Sequence, residues 1–471
     1  MLALIFLFLS PRFLGHSLMN PKDIPFAAGY IVALYFMMEF IRRLPNPGWK
    51  TTLGLVAGIG MAIGTRAGGL LLIAYLGLFV ALDFLMRYGV RGLVSKRPTL
   101  LRTLGWSVGA AVGGFVLALL FWPYALVSPI AHTMEALNEF SSLGVKIRVL
   151  FMGQNIMSDA TPWHYPLTWM AITIPLFVSV AFLGGLVMVR GLVRRFGGLA
   201  VSLSFFAAVF PVAYIIAKDA ILHDGWRHLT FVYPPMVVGA VLFWLWAEER
   251  LRSNRFGLRA LHLILVLTLL EPALFIARNP AYPYVYFNMA SGGISHAFGR
   301  FETDYWGLSV KQAVRWMERQ GILREDMPDT LVVSTSFIHN LRVYTKEKYQ
   351  GKVKPIYRRF NQRYETPWDY AVYPSRYIRG GHLRNRTWPN SKSIHAVRAN
   401  GVPLTAIEQA KDDYAFRGEA AFKAKDFASA VEWLKKEVEA YPDNEAAWEK
   451  LAMAYANLGQ ALECLHAAEK L

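Results

Sequence analysis

The chain contains a single cysteine, Cys464, among 471 residues. One cysteine excludes a disulfide framework and a cysteine-based metal site within the chain, and it fits either side of a membrane. Charged residues are also scarce, at 18%, whereas 54% of the residues are hydrophobic and the mean hydropathy is +0.29. Soluble domains of this length are rarely so apolar. The composition therefore favours a membrane protein.

Apolar stretches fill the first 277 residues, and a membrane-spanning helix needs about 20 such residues. They lie at 1–9, 24–41, 53–65, 69–86, 104–127, 167–189, 199–217, 229–247 and 260–277. We predict eight or nine spans, of which 53–65 is short and 1–9 is half a span. No basic flank or small-residue cleavage site marks residues 1–9 as a signal peptide. We expect that further apolar helices precede residue 1 in the complete protein.

Basic residues cluster in four of the loops between these stretches, at 42–50, 87–102, 190–195 and 250–259. The positive-inside rule places such loops in the cytoplasm. The alternating loops at 10–23, 128–166 and 218–228 then lie together outside, as does everything after residue 277. This topology requires every predicted span, including 53–65, to cross the membrane.

The net charge of +17 is unevenly distributed. Residues 278–400 hold 20 basic and 9 acidic residues, and residues 401–471 hold 8 basic and 13 acidic ones. A basic surface beside a bilayer attracts anionic lipid headgroups or acidic polymers, but a solvated surface without a ligand explains the charge as well. In this basic region the patterns predict a helix at 309–320, strands at 330–334 and 370–373, and a loop at 374–400.

The last 60 residues repeat with a period of 34, which is typical of tetratricopeptide repeats. The matching positions are Tyr414, Gly418, Ala430, Leu434 and Pro442 in one unit and Trp448, Leu451, Tyr455 and Gly459 in the next. The units resemble repeats at about 411–444 and 445–471. Two units are fewer than the three usually needed. The pair therefore packs on the preceding domain, pairs with a partner, or is truncated.

These patterns together predict a mainly α protein of three domains. Residues 1–277 form a polytopic transmembrane helical bundle, residues 278–400 a small extracytoplasmic basic α/β region, and residues 401–471 a tetratricopeptide pair of helical hairpins.

The first outer loop places the carboxylate of Asp23 where an apolar helix begins. A charge there is costly unless it is paired or faces a water-filled cavity, so the position indicates a functional site. Asp23 could serve as a general base or hold a divalent cation, and Arg12 or Lys22 could hold a phosphate. The alternative is a simple turn in which Asp23 caps the following helix.

Two further outer loops carry polar and aromatic residues. Trp163 and Tyr165 precede a span, where interfacial aromatic residues anchor helices. Equally well, His164 and Tyr165 line a sugar or lipid-phosphate site. Arg227 and His228 stand at the mouth of a later span. Arg227 is a candidate phosphate ligand, with a snorkelling interfacial arginine as the alternative.

Arg66 and the segment 282–307 each have a functional and a purely structural interpretation. Arg66 lies between two apolar stretches, where interfacial anchoring is favoured over contact with a lipid phosphate. The segment 282–307 mixes aromatic and acidic residues, which suits sugar binding and suits a packed junction equally.

Four strings in this part of the chain resemble a known family. They are SPRFLGHSLMNPKDIPFA at 10–27, PWHYPLTWMAITIPL at 162–176, DGWRHLTFVYPPM at 224–236, and YFN at 286–288 with GRFETDYWG at 299–307. Together they resemble a bacterial branch of the C-type membrane glycosyltransferases. This is the broad class of glycosyltransferase family 39, which includes protein O-mannosyltransferases and the aminoarabinose transferases that modify lipid A. The resemblance covers about residues 1–310 and specifies no substrate.

The resemblance implies a polyprenyl-phosphate sugar donor and transfer, usually with inversion, on the extracytoplasmic side. An acidic residue in the family's first outer loop deprotonates the acceptor. Asp23 matches a second carboxylate that organises the site or a metal, and Arg227 and His228 match residues near the donor phosphate. This sequence departs from the family because the acidic pair of that first loop has no counterpart before Ser10. We therefore expect the chain as given to be inactive alone, even where its full-length form is an enzyme.

The resulting prediction is a glycosyltransferase of the bacterial inner membrane that acts on an unidentified glycan, lipid or protein hydroxyl. Its expected partners are the polyprenyl-phosphate sugar, membrane lipids and a protein bound by the repeats, without nucleic acid. We predict a possible divalent cation (Mg²⁺ or Mn²⁺) at Asp23 and no tightly bound cofactor. The predicted site comprises Asp23 as the catalytic residue, Lys22, Arg227 and His228 at the phosphate, and His16, Asn20, His164, Tyr165 and Asp224 lining the cavity.

Two other classes of function compete with this prediction. A non-catalytic assembly protein for envelope glycan synthesis would use the repeats to recruit partners, and the missing acidic pair favours it. A transporter or flippase of lipid-linked sugars is disfavoured, because transporters keep their polar sites near the middle of the membrane and these residues lie in loops.

Overall fold

The computed structural model describes residues 1–141, 146–349 and 351–470. Residues 142–145 of the predicted outer loop 128–166, Gln350, and Leu471 at the end of the predicted second repeat lie outside the described residues. The described chain is mainly helical, with a small sheet region. It divides into two compact units. The apolar unit comprises Met1–Ile147, Met157–Ala277 and Tyr286–Ala290, and the α/β unit comprises Arg148–Ile156, Arg278–Val285 and Ser291–Leu471. The three predicted domains stay a prediction.

The apolar unit is built from helices. These are α1 (Leu2–Phe8), α2 (Pro11–Met19), α3 (Asp23–Arg42), α4 (Trp49–Thr65), α5 (Leu71–Tyr88), α6 (Gly92–Ser95), α7 (Arg97–Leu119), α8 (Pro123–Val127), α9 (Ala131–Ser141), α10 (Tyr165–Thr173), α11 (Leu176–Val187), α12 (Val189–Phe196), α13 (Gly198–Ala217), α14 (Tyr233–Leu251) and α15 (Arg255–Arg278). Short 3₁₀ helices at Ala67–Leu70 and Arg227–Val232 lead into α5 and α14.

Six helical segments of the described chain are long and apolar enough to cross a membrane. They are Asp23–Arg42, Ala67–Tyr88, Arg97–Leu119, Gly198–Ala217, Arg227–Leu251 and Arg255–Arg278. Two bent pairs, α1 with α2 at 72° and α11 with α12 at 88°, raise the number to eight if each pair is one span. We expected eight or nine spans. The structure has eight only if both bent pairs are counted as spans.

Two predicted spans differ from single crossing helices. The stretch 167–189 is broken, because α10 ends at Thr173 and α11 begins at Leu176, on either side of Pro175. Proline lacks a backbone N–H and restricts the residue before it, so it favours such a break. The stretch 53–65 forms α4, which has 17 residues. That length corresponds to about 25 Å, which is shorter than a hydrocarbon core of about 30 Å.

Helices α3 and α4 form a hairpin that packs through small residues. A Cβ atom at Gly29 would lie 2.8 Å from the backbone nitrogen of Ala62, and one at Gly58 would lie 2.6 Å from that of Ala33. Glycine at these positions lets the two backbones approach closely, as is common between helices in membranes. The hairpin therefore brings the beginning of α3 next to the end of α4, which places Asp23 beside Arg66.

The α/β unit contains a five-stranded mixed sheet. Its elements are β1 (Arg148–Phe151), β2 (Gln154–Met157), α16 (Gly293–Ala297), α17 (Val310–Arg319), β3 (Leu331–Thr335), α18 (Ile338–Thr345), β4 (Val353–Tyr357), β5 (Tyr370–Pro374), α19 (Gly380–Arg384), β6 (Ser393–Ala399), β7 (Val402–Gln409), α20 (Tyr414–Lys423), α21 (Phe427–Ala440), α22 (Glu445–Asn457) and α23 (Ala461–Glu469). The strand order is β4-β3-β5-β7-β6. Strand β3 pairs in parallel with β4 and β5, and β7 pairs antiparallel with β5 and β6.

The predicted helix at 309–320 and the strands at 330–334 and 370–373 are confirmed as α17, β3 and β5. The prediction of a loop at 374–400 is wrong, because α19 and β6 lie within it. Strand β6 turns into β7 through Asn400 (φ +44°) and Gly401 (φ +81°). An Asn-Gly pair is a strong hairpin signal because both residues tolerate positive φ, so the hairpin is already indicated by residues 400 and 401.

Each of the four C-terminal helices, α20 to α23, packs against the next one along the chain. Two of them, α20 and α22, also pack on the sheet region. Ala415 of α20 and Ala446 of α22 share a core with Tyr364, Trp368 and other buried residues of the sheet region. Helices α21, α22 and α23 contribute to a second core of their own. Of the alternatives for the predicted repeat pair, the structure has the first, in which the helices pack on the preceding region. The assignment of tetratricopeptide repeats stays a prediction.

Candidate functional site

The loop before α3 holds the carboxylate of Asp23 in a buried position. The side chain of Asn20 accepts hydrogen bonds from the backbone N–H groups of Lys22 (3.2 Å) and Asp23 (2.9 Å). The amide nitrogen of Asn20 donates to Oδ2 of Asp23 at 2.6 Å. Asn20 therefore supplies a hydrogen-bond acceptor for backbone N–H groups at the start of α3. The hydrogen bonds that the carboxylate of Asp23 accepts from described residues come from the side chains of Asn20 and Arg66.

Asp23 forms a buried ion pair with Arg66. The guanidinium of Arg66 bonds Oδ1 of Asp23, and the two side chains are 10% and 5% exposed. Arg66 follows α4 directly, so the α3–α4 hairpin determines this contact. The interpretation of Arg66 as an interfacial anchor is therefore incomplete, because its charged end is directed to a buried carboxylate.

Arg227 reaches the same carboxylate from another segment. Its Nε lies 3.9 Å from Oδ2 of Asp23, and its Nη1 lies 3.1 Å from Oδ2 of Asp224. Its Nη2 lies 3.2 Å from Nε2 of His223 and 3.4 Å from Nε2 of His228. We call the residues Asn20, Asp23, Arg66, His223, Asp224, Arg227 and His228 the Asp23 cluster.

A turn with left-handed backbone holds Asp224 and Arg227 in place. Asp224 has φ +59° and Gly225 has φ +70°. The N–H of Gly225 donates to the hydroxyl of Tyr165 at 3.2 Å. A Cβ at Gly225 would meet the ring of Trp169 at 3.1 Å. Tyr165, predicted to line the cavity, therefore supports the cluster by contacting this turn.

Helix α2 places two more polar side chains next to the cluster. Nδ1 of His16 lies 3.2 Å from the amide nitrogen of Asn20. The guanidinium of Arg12 lies 5.4 Å from the ring centre of Trp169 and 5.3 Å from that of Phe287, and it donates to the carbonyl of Tyr286 at 3.1 Å. Both side chains are buried.

Two predicted site residues are placed differently. Lys22 is exposed, and its side chain forms no hydrogen bond or ion pair with any described residue. His164 contacts Thr168 (Nδ1 to Oγ1, 3.1 Å) and the ring of Trp163 within its own segment. The structure therefore brings together His16, Asn20, Asp23, Asp224, Arg227 and His228, with Tyr165 behind them and Lys22 on the surface.

The surroundings of Asp23 do not fit a divalent cation in this arrangement. Such ions take several oxygen ligands, whereas Asp23 faces the guanidinium groups of Arg66 and Arg227 and the amide of Asn20. Among the described residues, no group of three or more His, Cys, Asp and Glu side chains could hold a metal ion. The divalent cation predicted at Asp23 stays a prediction.

The segment 282–307 is densely packed where the structure describes it. Asp304 is buried and accepts hydrogen bonds from the N–H groups of Leu308 (3.0 Å) and Ser309 (3.1 Å) and from the hydroxyl of Tyr284. Burial raises the pKa of Asp304. These contacts all lie within the α/β unit, and both interpretations of the segment stay predictions.

The Asp23 cluster has more cationic than anionic side chains around it. Asp23 and Asp224 are the carboxylates, whereas Arg66, Arg227, the neighbouring Arg12 and the exposed Lys22 are cations. Buried guanidinium groups held by carboxylates are well suited to bind an oxyanion, because they are oriented before it arrives. The predicted site omitted Arg66 and His223: Arg66 meets Asp23 only through the α3–α4 hairpin, and His223 contacts Arg227 four residues further along the chain.

No protein-family profile, curated protein or solved structure matches this chain.

Proposed function

We propose that this protein is a membrane glycosyltransferase that moves a sugar from a polyprenyl-phosphate donor to a hydroxyl on the extracytoplasmic side. The observation that carries the proposal is the buried carboxylate of Asp23 held between Arg66 and Arg227. All three residues lie at ends of helices, and α3 and the segment beginning at Arg227 are apolar enough to span a membrane.

The chemistry of such a transfer fits the charges of the cluster. When the sugar leaves a polyprenyl phosphate, negative charge remains on the phosphate, and fixed cations stabilise that charge. Arg66 and Arg227 would supply this stabilisation, with Lys22 at the surface as a further cation. Asp23 and Asp224 would orient the two guanidinium groups, which makes these carboxylates positioning residues for the phosphate.

The position of the cluster also suits a lipid-linked donor. An isoprenoid chain stays among apolar helices, while its phosphate and sugar need polar partners at the helix ends. Asp23 begins α3 and Arg227 precedes α14, so their charged groups lie where apolar segments begin.

The contacts of Asp23 favour an organising role over that of a general base. Its oxygens accept hydrogen bonds from Arg66 and Asn20, so taking a proton from the acceptor would weaken two existing interactions. The resemblance assigns the base to a different acidic residue, in the family's first outer loop. We therefore propose Asp23 as the residue that holds the phosphate site together.

The proposal is tested by transfer of radiolabelled sugar from several polyprenyl-phosphate donors, with the full-length protein in nanodiscs and a membrane lysate as acceptor. D23N removes the charge with little change of shape. We expect it to lower transfer by about 100-fold or more, the size of effect seen when one preorganised group is removed from an active site.

The matched control is D83N. Asp83 also pairs with an arginine, Arg87, at 2.9 Å and lies on an apolar helix, but the pair is more exposed, with the arginine 37% and the aspartate 14% exposed. D83N should retain at least about half of the wild-type transfer, because exposed ion pairs contribute little. Equal transfer by D23N and wild type would remove Asp23 from the mechanism. Absence of transfer by the wild type with every donor would contradict the glycosyltransferase proposal.

One observation favours the alternative of an assembly protein. Leu462 and Leu465 on α23 are 81% and 60% exposed, and neighbouring exposed leucines are typical of a surface that binds a protein. Failure of the transfer assay, together with capture of a specific envelope protein that is lost in L462S/L465S, would favour this second function.

A further inference from the structure

A groove of about 650 Å³ on the α/β unit is lined by cationic side chains. Arg300, Arg384, Arg386 and Arg398 are among its lining residues. No lining residue in the described part of the chain is acidic. None of the four arginines forms an ion pair with a described residue. Their charge is therefore not neutralised by the protein, and a concave surface of one sign concentrates counter-ions.

Neutral groups orient several of these cations. Nη1 of Arg384 donates to the carbonyls of Gly153 (2.6 Å) and Gly299 (2.8 Å). Nη1 of Arg398 donates to the carbonyl of Gly401 at 2.9 Å. Nη1 of Arg300 lies 2.9 Å from Nε2 of His296. These contacts fix the direction of the side chains without cancelling their charge, which lowers the entropic cost of binding an anion.

The backbone around Arg384 leaves room for its side chain. Gly299 has φ +73°, and a Cβ atom there would lie 2.7 Å from Cγ of Arg384. A Cβ atom at Gly153 would lie 2.7 Å from its Nη1. Larger residues at either glycine would displace Arg384, so the groove depends on these two positions.

The groove also contains a buried indole. Trp388 is 1% exposed and lines the groove, and its Nε1 has no hydrogen-bond partner among the described residues. The ring of Phe298 lies 6.5 Å from that of Trp388 and also lines the groove. An unsatisfied buried donor costs free energy.

We propose that this groove binds an acidic sugar, meaning a saccharide that carries a phosphate or a carboxylate. Arginine binds both groups through paired N–H donors, and aromatic rings beside polar donors suit a sugar ring. The volume falls in the range of about 300–1,000 Å³ that is usual for small-molecule sites, which is larger than a single phosphate requires. The proposal does not depend on the glycosyltransferase proposal, because it concerns binding by the α/β unit alone.

The test is calorimetric titration of the full chain in detergent micelles with digalacturonate, mannose 6-phosphate and neutral maltose. Either or both acidic sugars should bind, and maltose should not. Binding should weaken as salt rises to about 0.15 M, because the contacts are partly exposed. The two acidic probes show whether a carboxylate or a phosphate is preferred.

The groove variant R300Q/R386Q/R398Q should raise the Kd of the preferred acidic sugar at least about tenfold. The matched control is R315Q/R319Q/R342Q, which removes three exposed arginines of the same unit that lie outside the groove. The control should change the Kd less than about twofold. R386Q alone is a second variant, since the Arg386 side chain makes no hydrogen bond or ion pair with a described residue, and it should still weaken binding by about threefold.

Three results would overturn the proposal. The first is no binding of either acidic sugar by the wild type at millimolar concentration. The second is an equal loss of binding in the groove variant and the control, which would indicate general charge attraction. The third is binding of phosphatidylglycerol vesicles, lost in the groove variant, without binding of either acidic sugar, which would identify a lipid surface as the ligand.

Discussion

A buried ionic cluster in each unit of the described chain can be compared, and the two differ in the balance of charge around them. The Asp23 cluster of the apolar unit has more arginines near it than carboxylates. The second, which we call the Arg363 network, lies in the α/β unit. It contains the cations Arg363 and Lys392 together with the carboxylates Glu408, Asp412, Glu437 and Glu445.

The Arg363 network joins separate elements of the α/β unit. Arg363 lies 3.4 Å from Glu408 of β7 and 2.9 Å from Glu445 of α22. Lys392 lies 2.6 Å from Glu437 of α21. Asn444 links the two halves, because it accepts from Arg363 at 3.0 Å and donates to Glu437 at 2.5 Å. The side chains of Arg363 and Glu408 are fully buried.

The difference indicates different roles for the two clusters. The Arg363 network encloses its charges and connects the C-terminal helices to the sheet, so we infer that it stabilises the fold. The two arginines and two carboxylates of the Asp23 cluster, taken together with the neighbouring Arg12 and the exposed Lys22, leave an excess of cations at helix ends, so we infer that the cluster binds an anion. The comparison predicts that substitutions in the Arg363 network should mainly change stability. Substitutions in the Asp23 cluster should mainly change function.

The largest expected effect on stability is that of R363Q. It removes the cation between Glu408 and Glu445 and leaves both carboxylates without it, and breaking such a buried pair costs about 3–5 kcal/mol. Hydrogen exchange of β7 and α22 in the full chain should accelerate by the corresponding factor. The control R359Q changes an exposed arginine of the same segment and should change stability by less than about 0.5 kcal/mol. Unchanged exchange in R363Q would contradict the structural role of the network.

A smaller loss of stability is expected from G58A in the apolar unit. The added methyl group would meet the backbone of Ala33 at less than 3 Å, which forces α3 and α4 apart and costs about 1–3 kcal/mol. The Asp23–Arg66 ion pair should weaken as the two helices move apart. The loss of sugar transfer should therefore be larger than the loss of stability alone would cause. The control is G109A, since no atom lies within 4 Å of a Cβ at Gly109. Equal transfer by both variants would show that the hairpin does not hold the site.

The pH dependence of stability should distinguish the Arg363 network. Burial raises the pKa of Glu408 above its ordinary value of 4.5, and the folded state therefore keeps a proton that the unfolded state releases. The resulting stabilisation is complete below pH 4.5 and is lost as the pH rises through the raised pKa, by up to about 1.4 kcal/mol per pH unit. The exchange rate of β7 measured across this range should depend on pH less in E408Q than in the wild type. Identical pH profiles would contradict this assignment.

The smallest effect on stability is expected from K22Q. Because the side chain of Lys22 has no partner among the described residues, its loss should change the free energy of unfolding by less than about 0.5 kcal/mol. If Lys22 helps to hold the donor phosphate, the KM for the polyprenyl-phosphate sugar should rise several-fold while kcat changes little. A changed kcat at constant KM would instead place Lys22 in the transfer step.

Sequence reasoning predicted the local elements of this protein better than its long-range contacts. Asp23 was identified because a charge beside an apolar helix is costly, and β3, β5 and α17 were identified from their periodicity. Arg66 was interpreted as an anchor at the membrane interface. Its partner, Asp23, lies 43 positions earlier in the chain, so the pairing could not be read from the local sequence. The Arg363 network was missed for the same reason, since Glu408 and Glu445 are adjacent only after β7 and α22 have packed.

The most direct test of the account is equilibrium binding of polyprenyl phosphate and of neutral polyprenol to the protein in nanodiscs. We predict that the wild type prefers the phosphate, and that R66Q lowers its affinity at least about tenfold without changing the affinity for polyprenol. The control R87Q removes an arginine from a more exposed pair on α5 and should leave both affinities unchanged. Equal binding of polyprenyl phosphate by R66Q and the wild type would contradict the conclusion that the Asp23 cluster binds a lipid phosphate.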